Sequence, residues 1–167
     1  AGLMKLSEDT ALEHIVLVIE NARDALYAIT QLLEQWGASV LPAHSRDEAA
    51  TFVRDMGIPP DIILADYQLD DGDTGVDVVS HIRTLSGAHV PAILITADRG
   101  EPVRRDALQN DVSVLTKPVK LSRLRPMIMW KIRRFQTGED APLAIPTKVG
   151  DDSKSGQHSV ATRGGSA

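Results

Sequence analysis

The sequence predicts an α/β protein built on a doubly wound, five-stranded parallel sheet with five helices. Short apolar runs alternate with amphipathic helical patterns five times between residues 15 and 135. The runs carry no alternating polar face, and such strands are typical of a parallel sheet that helices cover on both sides. Five repeats are too few for an eight-stranded barrel, so an open sheet remains. Functional groups in open sheets lie at the carboxyl ends of the strands.

Local signals mark the bounds of the individual elements. Gly37 ends the first helix, and Pro42 places the second strand at its end or at a sheet edge, because proline cannot donate to a strand ladder. Ser45 and Thr74 each stand three residues before an acidic residue, which is the capping-box pattern at the start of a helix. The predicted strands are 15–19, 38–43, 61–66, 91–97 and 112–116, and helices are predicted at 22–36, after Ser45, after Thr74, at about 101–109 and at 119–135.

The last helix carries an apolar stripe and a basic face. We expect the stripe to face the core, and it consists of Leu121, Leu124, Ile128, Ile132 and Phe135. The arginines and lysines of "KLSRLRPMIMWKIRRF" predict a solvated face. The alternative is a docking face for a partner, which Met127, Met129 and Trp130 favour because core packing explains only part of this helix.

Composition and charge limit the classes of protein to which the chain can belong. The 167 residues suit one domain, and we expect a leader or remnant at 1–13, the domain at 14–136 and a disordered tail or linker at 137–167. A net charge of −5 argues against nucleic-acid binding through bulk electrostatics. The chain has no cysteine for a disulfide or a thiolate metal site, and its apolar runs are too short to span a membrane. We therefore expect a cytoplasmic protein.

Polar side chains stand at the carboxyl ends of four predicted strands. The first strand ends in Glu20 and Asn21, the third in Asp66, the fourth in Thr96 and the fifth in Lys117. The fold brings these ends to one edge, where they provide two carboxylates, an amide, a hydroxyl and an ammonium. Carboxylate and amide oxygens suit Mg²⁺, and a hydroxyl and a lysine that face a carboxylate could hold a phosphoryl group bound to it.

Each of these residues, taken alone, also has a purely structural explanation. A strand-end aspartate such as Asp66 often caps the next helix, and Glu20 and Asn21 could cap the first helix. Thr96 alone is an ordinary strand residue, and Lys117 alone is an ordinary surface charge. The functional interpretation depends on compatible groups at all four strand ends of one chain, which chance would rarely produce.

Four segments carry a resemblance to a known family. "VLVIEN", "ILADYQL", "ILITA" and "LTKPV" occur in this order and spacing, and together they resemble the receiver domain of two-component response regulators over roughly residues 14–136. The stretch "DIILADYQLDDGDTG … PAILITADRG … LTKPVK" is most similar to receivers at the carboxyl end of hybrid sensor histidine kinases. The resemblance implies a flavodoxin-like sheet of order 2-1-3-4-5 and a phosphoacceptor in a phosphorelay.

The resemblance implies a role for each strand-end residue. Asp66 would be the phosphoacceptor that attacks the phosphohistidine of a partner. Thr96 would bind a phosphoryl oxygen, and Lys117, in an expected cis peptide with Pro118, would pair with the acyl phosphate. We expect Thr96 and Lys117 to lie near solvent. The Mg²⁺ cofactor would be held by the side chains of Glu20, Asn21 and Asp66 and by the backbone carbonyl of Gln68.

Two positions depart from the family pattern. Asn21 stands at the second acidic position, and Val114 stands at the aromatic position three residues before the lysine. The first departure bears on metal affinity, and the second bears on switching. The expected partners are a histidine kinase or a histidine phosphotransfer protein, with neither nucleic acid nor membrane contact, and the last helix is a candidate dimer surface.

The sequence leaves three functions open. The first is the phosphoacceptor, which reacts at its own Asp66 rather than on a free substrate. The second is a pseudo-receiver, a pure interaction module that never takes phosphate, which Asn21 and Val114 keep open. The third is a phosphatase of the haloacid dehalogenase type. That chemistry needs a second aspartate where the chain has Gln68, and a cap insertion for which it has no room.

Overall fold

The computed structural model describes residues 12–138, which form five strands and five α-helices. The strands are β1 (Ile15–Ile19), β2 (Ser39–Ala43), β3 (Ile62–Asp66), β4 (Ala92–Thr96) and β5 (Ser113–Thr116). The helices are α1 (Arg23–Gln35), α2 (Arg46–Met56), α3 (Gly75–Ser86), α4 (Glu101–Gln109) and α5 (Leu121–Thr137). A 3₁₀ turn, Asp70–Gly72, lies between β3 and α3. Within this part of the chain, no helix combines the length and the apolar character needed to cross a membrane.

All neighbouring strands pair in parallel, in the order β2-β1-β3-β4-β5. The predicted doubly wound fold and its strand order are therefore confirmed. Pro42 lies in the edge strand β2, where a missing backbone donor is tolerated. Because β1 lies between β2 and β3, the chain reverses its direction of travel across the sheet after β2. The crevice beyond the carboxyl ends of β1 and β3 is therefore the expected place for a site.

Two hydrophobic clusters fill the space on the two faces of the sheet. One cluster joins α2, α3 and α4 to the strands and includes Val53, Val79 and Val103. The other joins α1 and α5 to the opposite face and includes Leu33 and Ile128. Successive residues of a strand point to opposite faces, so β1, β3 and β4 must be apolar at nearly every position. This burial on both sides explains the uninterrupted apolar runs in the sequence.

Both predicted helix caps form, and one of them is a complete capping box. The Thr74 hydroxyl accepts from the Asp77 N–H, and the Asp77 carboxylate accepts from the Thr74 N–H. The Ser45 hydroxyl accepts from the Glu48 N–H, but the Glu48 carboxylate accepts from His44 N–H instead of completing the box. Both caps satisfy N–H groups that the first turn of a helix leaves without a partner.

The last helix differs from its predicted bounds and from its predicted face. α5 begins and ends two residues later than the predicted 119–135. Three residues of the apolar stripe are buried, but the outermost two, Leu121 and Phe135, are 51% and 43% exposed, so their assignment to the core is wrong. A helix of 17 residues is about 25 Å long, whereas a strand of five residues spans about 17 Å. α5 is therefore longer than the strands that it covers.

The two methionines of α5 pack towards the core. Met127 and Met129 are partly buried against the cluster that joins α1 and α5 to the sheet. Trp130 is 41% exposed, and the Arg134 guanidinium lies 4.8 Å from the centre of its ring. Core packing thus explains why α5 carries the two methionines. Of the residues that favoured a docking face, Trp130 is exposed, and it is stacked with Arg134.

Leu12 lies ahead of the domain boundary that we expected at residue 14. It is fully buried, and its N–H donates to the carbonyl of Trp36 just after α1. At the other boundary, Thr137 is the last residue of α5, and Gly138 follows it with a left-handed φ of 66°. The remainder of the predicted leader, and the predicted tail from residue 139 onward, lie outside the described residues.

Candidate functional site

Asp66 is the last residue of β3, and its carboxylate is held from two directions. Lys117 Nζ donates to Oδ2 over 3.1 Å, and the Gln68 N–H donates to Oδ1 over 3.3 Å. The four residues that precede Asp66 in the strand are buried, while the Asp66 side chain is 14% exposed. The strand is therefore anchored in the core and presents the carboxylate at its tip.

Glu20 follows β1 and shares the Lys117 ammonium with Asp66. Lys117 Nζ lies 3.5 Å from Glu20 Oε2, and Glu20 Oε1 accepts from the Ala22 N–H over 3.0 Å. Burial raises the pKa of Glu20, the Ala22 N–H lowers it, and the neighbouring Asp66 carboxylate raises it again, with a net increase. Two carboxylates that face one ammonium carry more negative charge than it balances, which favours binding of a further cation.

Lys117 provides a fixed positive charge beside Asp66. Burial opposes the charge on its ammonium, but the hydrogen bond to Asp66 and the charges of Asp66 and Glu20 outweigh this effect and raise the pKa of Lys117. The peptide between Lys117 and Pro118 is cis, as the resemblance implied. The Lys117 N–H donates to the Thr96 carbonyl over 2.8 Å, which ties the start of this turn to the end of β4.

Thr96 is the last residue of β4, and it is only 2% exposed. The expectation that it lies near solvent is therefore wrong, and the loop after β4 turns back to contact it. Its hydroxyl accepts from the Asp98 N–H over 3.1 Å. Asp66 pairs with Ile95 across the sheet, so Thr96 stands one residue beyond the partner of Asp66. A hydroxyl that accepts in this way keeps its own hydrogen for a further acceptor, such as a phosphoryl oxygen.

Asn21 forms a hydrogen bond that the sequence did not predict. Its side-chain Nδ2 donates to Asp70 Oδ1 over 2.9 Å. Asp70 begins the 3₁₀ turn of the β3–α3 loop, 49 positions along the chain from Asn21. A carboxylate from the loop thus stands beside the position at which the family pattern has its second acid.

The β3–α3 loop is closed at its base by a short antiparallel bridge between Gln68 and Thr74. The two bonds of the bridge run from the Leu69 N–H to the Asp73 carbonyl and from the Gly75 N–H to the Tyr67 carbonyl. These bonds involve the neighbours of Gln68, so they leave the Gln68 carbonyl outside the bridge. This is the backbone oxygen that the resemblance assigned to the metal.

Gly75 is a requirement of the site that sequence reasoning missed. A Cβ added to this residue would overlap with the backbone carbonyl oxygen of Asp66 and crowd the Leu94 side chain. Only glycine therefore allows the start of α3 to lie against the end of β3. The sequence holds the glycine itself, but the close approach depends on how the loop folds.

One open cavity brings the six predicted site residues together. These six residues are Glu20, Asn21, Asp66, Gln68, Thr96 and Lys117. Asp70 and Asp98 also line this cavity, although neither was a predicted site residue. The sequence marked the loop as acidic, but it gave no sign of which aspartate turns back towards the strands, because that choice depends on the 3₁₀ turn.

The donor set of the cavity fits Mg²⁺. Within the described residues, no three acidic or histidine side chains form a ligand cluster by themselves. A cation here would therefore use amide and backbone oxygens and water in addition to carboxylates. Mg²⁺ sites usually have this composition, since the ion takes one or two carboxylates and keeps several waters. Glu20, Asp66, Asn21 and the Gln68 carbonyl provide suitable oxygens.

Comparison with known proteins identifies relatives of this chain. The family model of the response regulator receiver domain matches residues 16–129. Proteins from two rice subspecies, Oryza sativa subsp. indica and subsp. japonica, both named "Two-component response regulator-like PRR37", are 24% identical to the chain over 148 residues. The alignment covers 86% of this chain and 20% of the rice proteins, so the chain spans about a fifth of the length of these relatives.

Solved structures support the same family. A response regulator receiver domain protein from Clostridium thermocellum is similar with a TM-score of 0.68 and 25% identity, over 75% of this chain and 98% of that one. The signal receiver domain of a modulated diguanylate cyclase from Desulfovibrio desulfuricans G20 gives 0.66 and 26%, over 75% and 98%. The chemotaxis protein CheY4 of Vibrio cholerae gives 0.63 and 18%, over 71% and 98%, and this likeness concerns the fold alone.

Proposed function

The chain belongs to the family of response regulator receiver domains, and from this membership we propose that it accepts a phosphoryl group on Asp66 in a two-component phosphorelay. The observation that carries the proposal is the position of the Asp66 carboxylate. It stands at the tip of a buried strand, 3.1 Å from the Lys117 ammonium, in a cavity that Thr96 and Glu20 also line. This arrangement supports attack by a carboxylate oxygen on an electrophilic phosphorus.

The proposed reaction transfers a phosphoryl group from nitrogen to oxygen. An Asp66 carboxylate oxygen forms a bond to phosphorus as the phosphorus–nitrogen bond of a phosphohistidine breaks, and the released imidazole takes up a proton. Lys117 pairs with the negative oxygens of the transferring group, and the Thr96 hydroxyl donates to one of them. Mg²⁺, held by Glu20, Asn21, Asp66 and the Gln68 carbonyl, would supply further positive charge to the phosphoryl oxygens.

The proposed phosphodonors are a histidine kinase or a histidine phosphotransfer protein, which would place the chain in the cytoplasm. The same proposal has three further parts: kinship to the receivers of hybrid kinases, a linker in the segment that follows Gly138, and a dimer through α5. None of these adds a residue to the phosphoacceptor site, so each is tested separately from it.

The pseudo-receiver is the second candidate function. Two observations favour it, namely the amide of Asn21 at an acidic position of the family and the "response regulator-like" name of the rice relatives. Val114 stands at the aromatic position of the family, and it packs against the core cluster on the side of α2, α3 and α4. A pseudo-receiver would keep the fold and its docking surfaces but would take no phosphate on Asp66.

A phosphatase of the haloacid dehalogenase type is a poorer fit to the geometry. That mechanism places a general acid two residues after the nucleophile, and Gln68 stands at that position. An amide cannot release a proton as a carboxylic acid does. The Gln68 side chain is moreover exposed, so the position that carries the general acid in that mechanism holds no acid here.

Covalent labelling separates the two candidate functions. The full chain is incubated with Mg²⁺ and acetyl phosphate, the acyl phosphate is trapped with borohydride, and the modified residue is located by mass spectrometry. We expect label on Asp66 in the wild type, none in Asp66→Asn, and undiminished label in Asp73→Asn. The last variant is a matched control, because Asp73 belongs to the same loop but pairs with Arg46 at the surface. Label that survives in Asp66→Asn, or a wild type without label, would overturn the phosphoacceptor assignment.

A further inference from the structure

Asp70 is the acidic loop residue that turns back into the cavity, where it contacts Asn21. We propose that Asp70 is a positioning residue of the metal site. It holds the Asn21 amide by its nitrogen, which leaves the amide oxygen for a cation, and it returns to the cavity the negative charge that an asparagine lacks. This inference rests on the proposed function, because it concerns the cation of the phosphoacceptor site.

The chemistry of Asp70 fixes the orientation of the Asn21 amide. An ionised carboxylate accepts hydrogen bonds and donates none, so the amide atom 2.9 Å from Asp70 Oδ1 must be the nitrogen. The nitrogen and the oxygen of an amide diverge from the same carbon, so the oxygen points away from Asp70. Oxygen is also the amide atom that a hard divalent cation binds. Asp70 thereby selects the amide orientation that suits a metal ligand.

The loop that presents Asp70 is itself held in place. The bridge between Gln68 and Thr74 closes its base, and Asp70 starts the 3₁₀ turn that follows. The bridge bond from the Leu69 N–H to the Asp73 carbonyl spans the turn and fixes the backbone on both sides of Asp70. The Asp73 side chain pairs with Arg46 of α2 at the surface, with 3.6 Å between Oδ1 and Nη1, and such a pair adds little to this. Its carboxylate can therefore hold a partner with little further loss of conformational freedom.

The charges of the cavity also support a role for Asp70 in cation binding. Glu20 and Asp66 both contact the Lys117 ammonium, at 3.5 and 3.1 Å. Asp70 adds its carboxylate to the lining, beside Asn21, and Asp98 also lines the cavity. A single ammonium cannot balance these carboxylates, and a divalent cation beside it offsets two more of their charges. Asp70 thus contributes to the affinity of the site through charge as well as through position.

Titration with Mg²⁺ alone, followed by NMR of the full chain, tests the proposal without reference to phosphorylation. The backbone amides of Gln68 and Ala22 report binding directly, because they donate to the Asp66 and Glu20 carboxylates. Groups that hold a metal ligand in place are commonly worth about 10–100-fold in affinity. Since Asp70 is exposed, we expect Asp70→Ala to weaken Mg²⁺ binding by about threefold to tenfold. The side-chain NH₂ resonances of Asn21 should move to those of a free amide.

Three further variants separate position from charge. Asp70→Asn keeps an oxygen that accepts from Asn21 and loses the charge, so it should weaken binding less than Asp70→Ala does. Asp73→Asn removes one charge from the same loop without touching Asn21, and it should leave the affinity within about twofold. In an Asn21→Ala background, Asp70→Ala should cost less than in the wild type, because the amide that it positions is gone.

The outcomes distinguish this inference from the proposed function. Equal Mg²⁺ affinity in the wild type and Asp70→Ala overturns the inference, and so does an equal loss with and without the Asn21 side chain. If the wild type takes label on Asp66 while Asp70→Ala leaves its Mg²⁺ curve unchanged, the inference alone fails. A wild type in which Mg²⁺ moves neither reporter amide overturns the inference together with the metal part of the proposed function. If Asp70→Ala still takes label on Asp66 but needs a higher Mg²⁺ concentration than the wild type, the inference and the proposed function are both supported.

Discussion

Replacing Asn21 with aspartate tests the metal side of the site more sharply than removal of a residue. The change restores the acid that the family pattern has at this position. It also removes the hydrogen bond from Asn21 to Asp70, which is 2.9 Å long, and leaves two carboxylates in contact, neither of which can donate. We therefore expect Asn21→Asp to bind Mg²⁺ more tightly and to be less stable than the wild type when no metal is present.

The loss of stability can be worked out from the contact. Two like unit charges about 4 Å apart repel by about 1 kcal/mol in water and by about 4 kcal/mol at an effective dielectric constant of 20. Asp70 is exposed and Asn21 is half-buried, so the lower value applies, and salt reduces it further. The lost hydrogen bond contributes about 1 kcal/mol more. Asn21→Asp should therefore lower the unfolding free energy of the metal-free chain by about 1–2 kcal/mol.

Magnesium should reverse this difference. A full negative charge attracts the ion more strongly than an amide dipole does, and a ligand stabilises the folded state in proportion to the logarithm of its concentration over its dissociation constant. Each tenfold gain in affinity returns about 1.4 kcal/mol at saturation. Urea unfolding followed by circular dichroism, in excess EDTA and in excess Mg²⁺, measures both quantities on the same samples. Labelling by acetyl phosphate should also become faster in the variant.

The double variant Asn21→Asp/Asp70→Asn provides the control. It exchanges the amide and the carboxylate between the two positions, so the hydrogen bond can form again in the opposite direction. Its stability in EDTA should return to within about 0.5 kcal/mol of the wild type. Equal Mg²⁺ titration curves for the wild type and Asn21→Asp would show that Asn21 is not at the metal. Equal stability in EDTA would show that Asn21 and Asp70 do not form this contact.

Four further predictions concern other parts of the fold. Thr96→Ala should lose about 1 kcal/mol of unfolding free energy in urea, because the Asp98 N–H loses its acceptor, while Thr96→Ser should keep this hydrogen bond and the response to phosphorylation. Gly75→Ala should destabilise the chain by about 1–3 kcal/mol and slow labelling, since the added methyl meets the Asp66 carbonyl. Burial lowers the pKa of Lys131 to about 8 from an ordinary value of 10.5. Between these values the unfolded chain binds more protons than the folded chain, so stability should rise with pH, and urea curves of Lys131→Met should lack that rise. A chain that ends at Gly138 should melt within about two degrees of the full chain. A larger drop would contradict that expectation.

The strands and their order could be predicted because they depend on local pattern. Runs such as Ile15–Ile19 and Ile62–Asp66 are apolar at almost every position, and this pattern has few explanations other than a strand buried on both faces. The face of α5 could not be predicted as well. Helical periodicity gives the stripe, but the exposure of Leu121 and Phe135 depends on where the sheet ends beneath them. That is a property of the packed fold and not of the helix.

The candidate site, too, could be predicted from the sequence only in part. The carboxyl ends of parallel strands lie at one edge of a sheet, so the sequence alone predicts that Glu20, Asp66, Thr96 and Lys117 lie together, as they do. The burial of Thr96 was missed because it depends on the conformation of the following loop. Loops carry no period, and their conformations depend on contacts with other elements. The same reason explains why Asp70 was not among the predicted site residues.

The contact between Asn21 and Asp70 weakens the argument that an asparagine at an acidic position of the family marks a pseudo-receiver. Judged by strand ends alone, the chain has lost one acid of its metal site, and this favours a pseudo-receiver. With the loops included, the carboxylates of Asp70 and Asp98 line the cavity beside those of Glu20 and Asp66 and the Lys117 ammonium. Asp70, which accepts from the Asn21 side chain, supplies a negative charge next to the position where an aspartate would provide one. The charge that attracts a divalent ion is thus present although it comes from a different element, and Asn21 still offers an oxygen to that ion. The loss of an acid at one position is therefore weak evidence against phosphorylation in a chain whose loop returns one beside it.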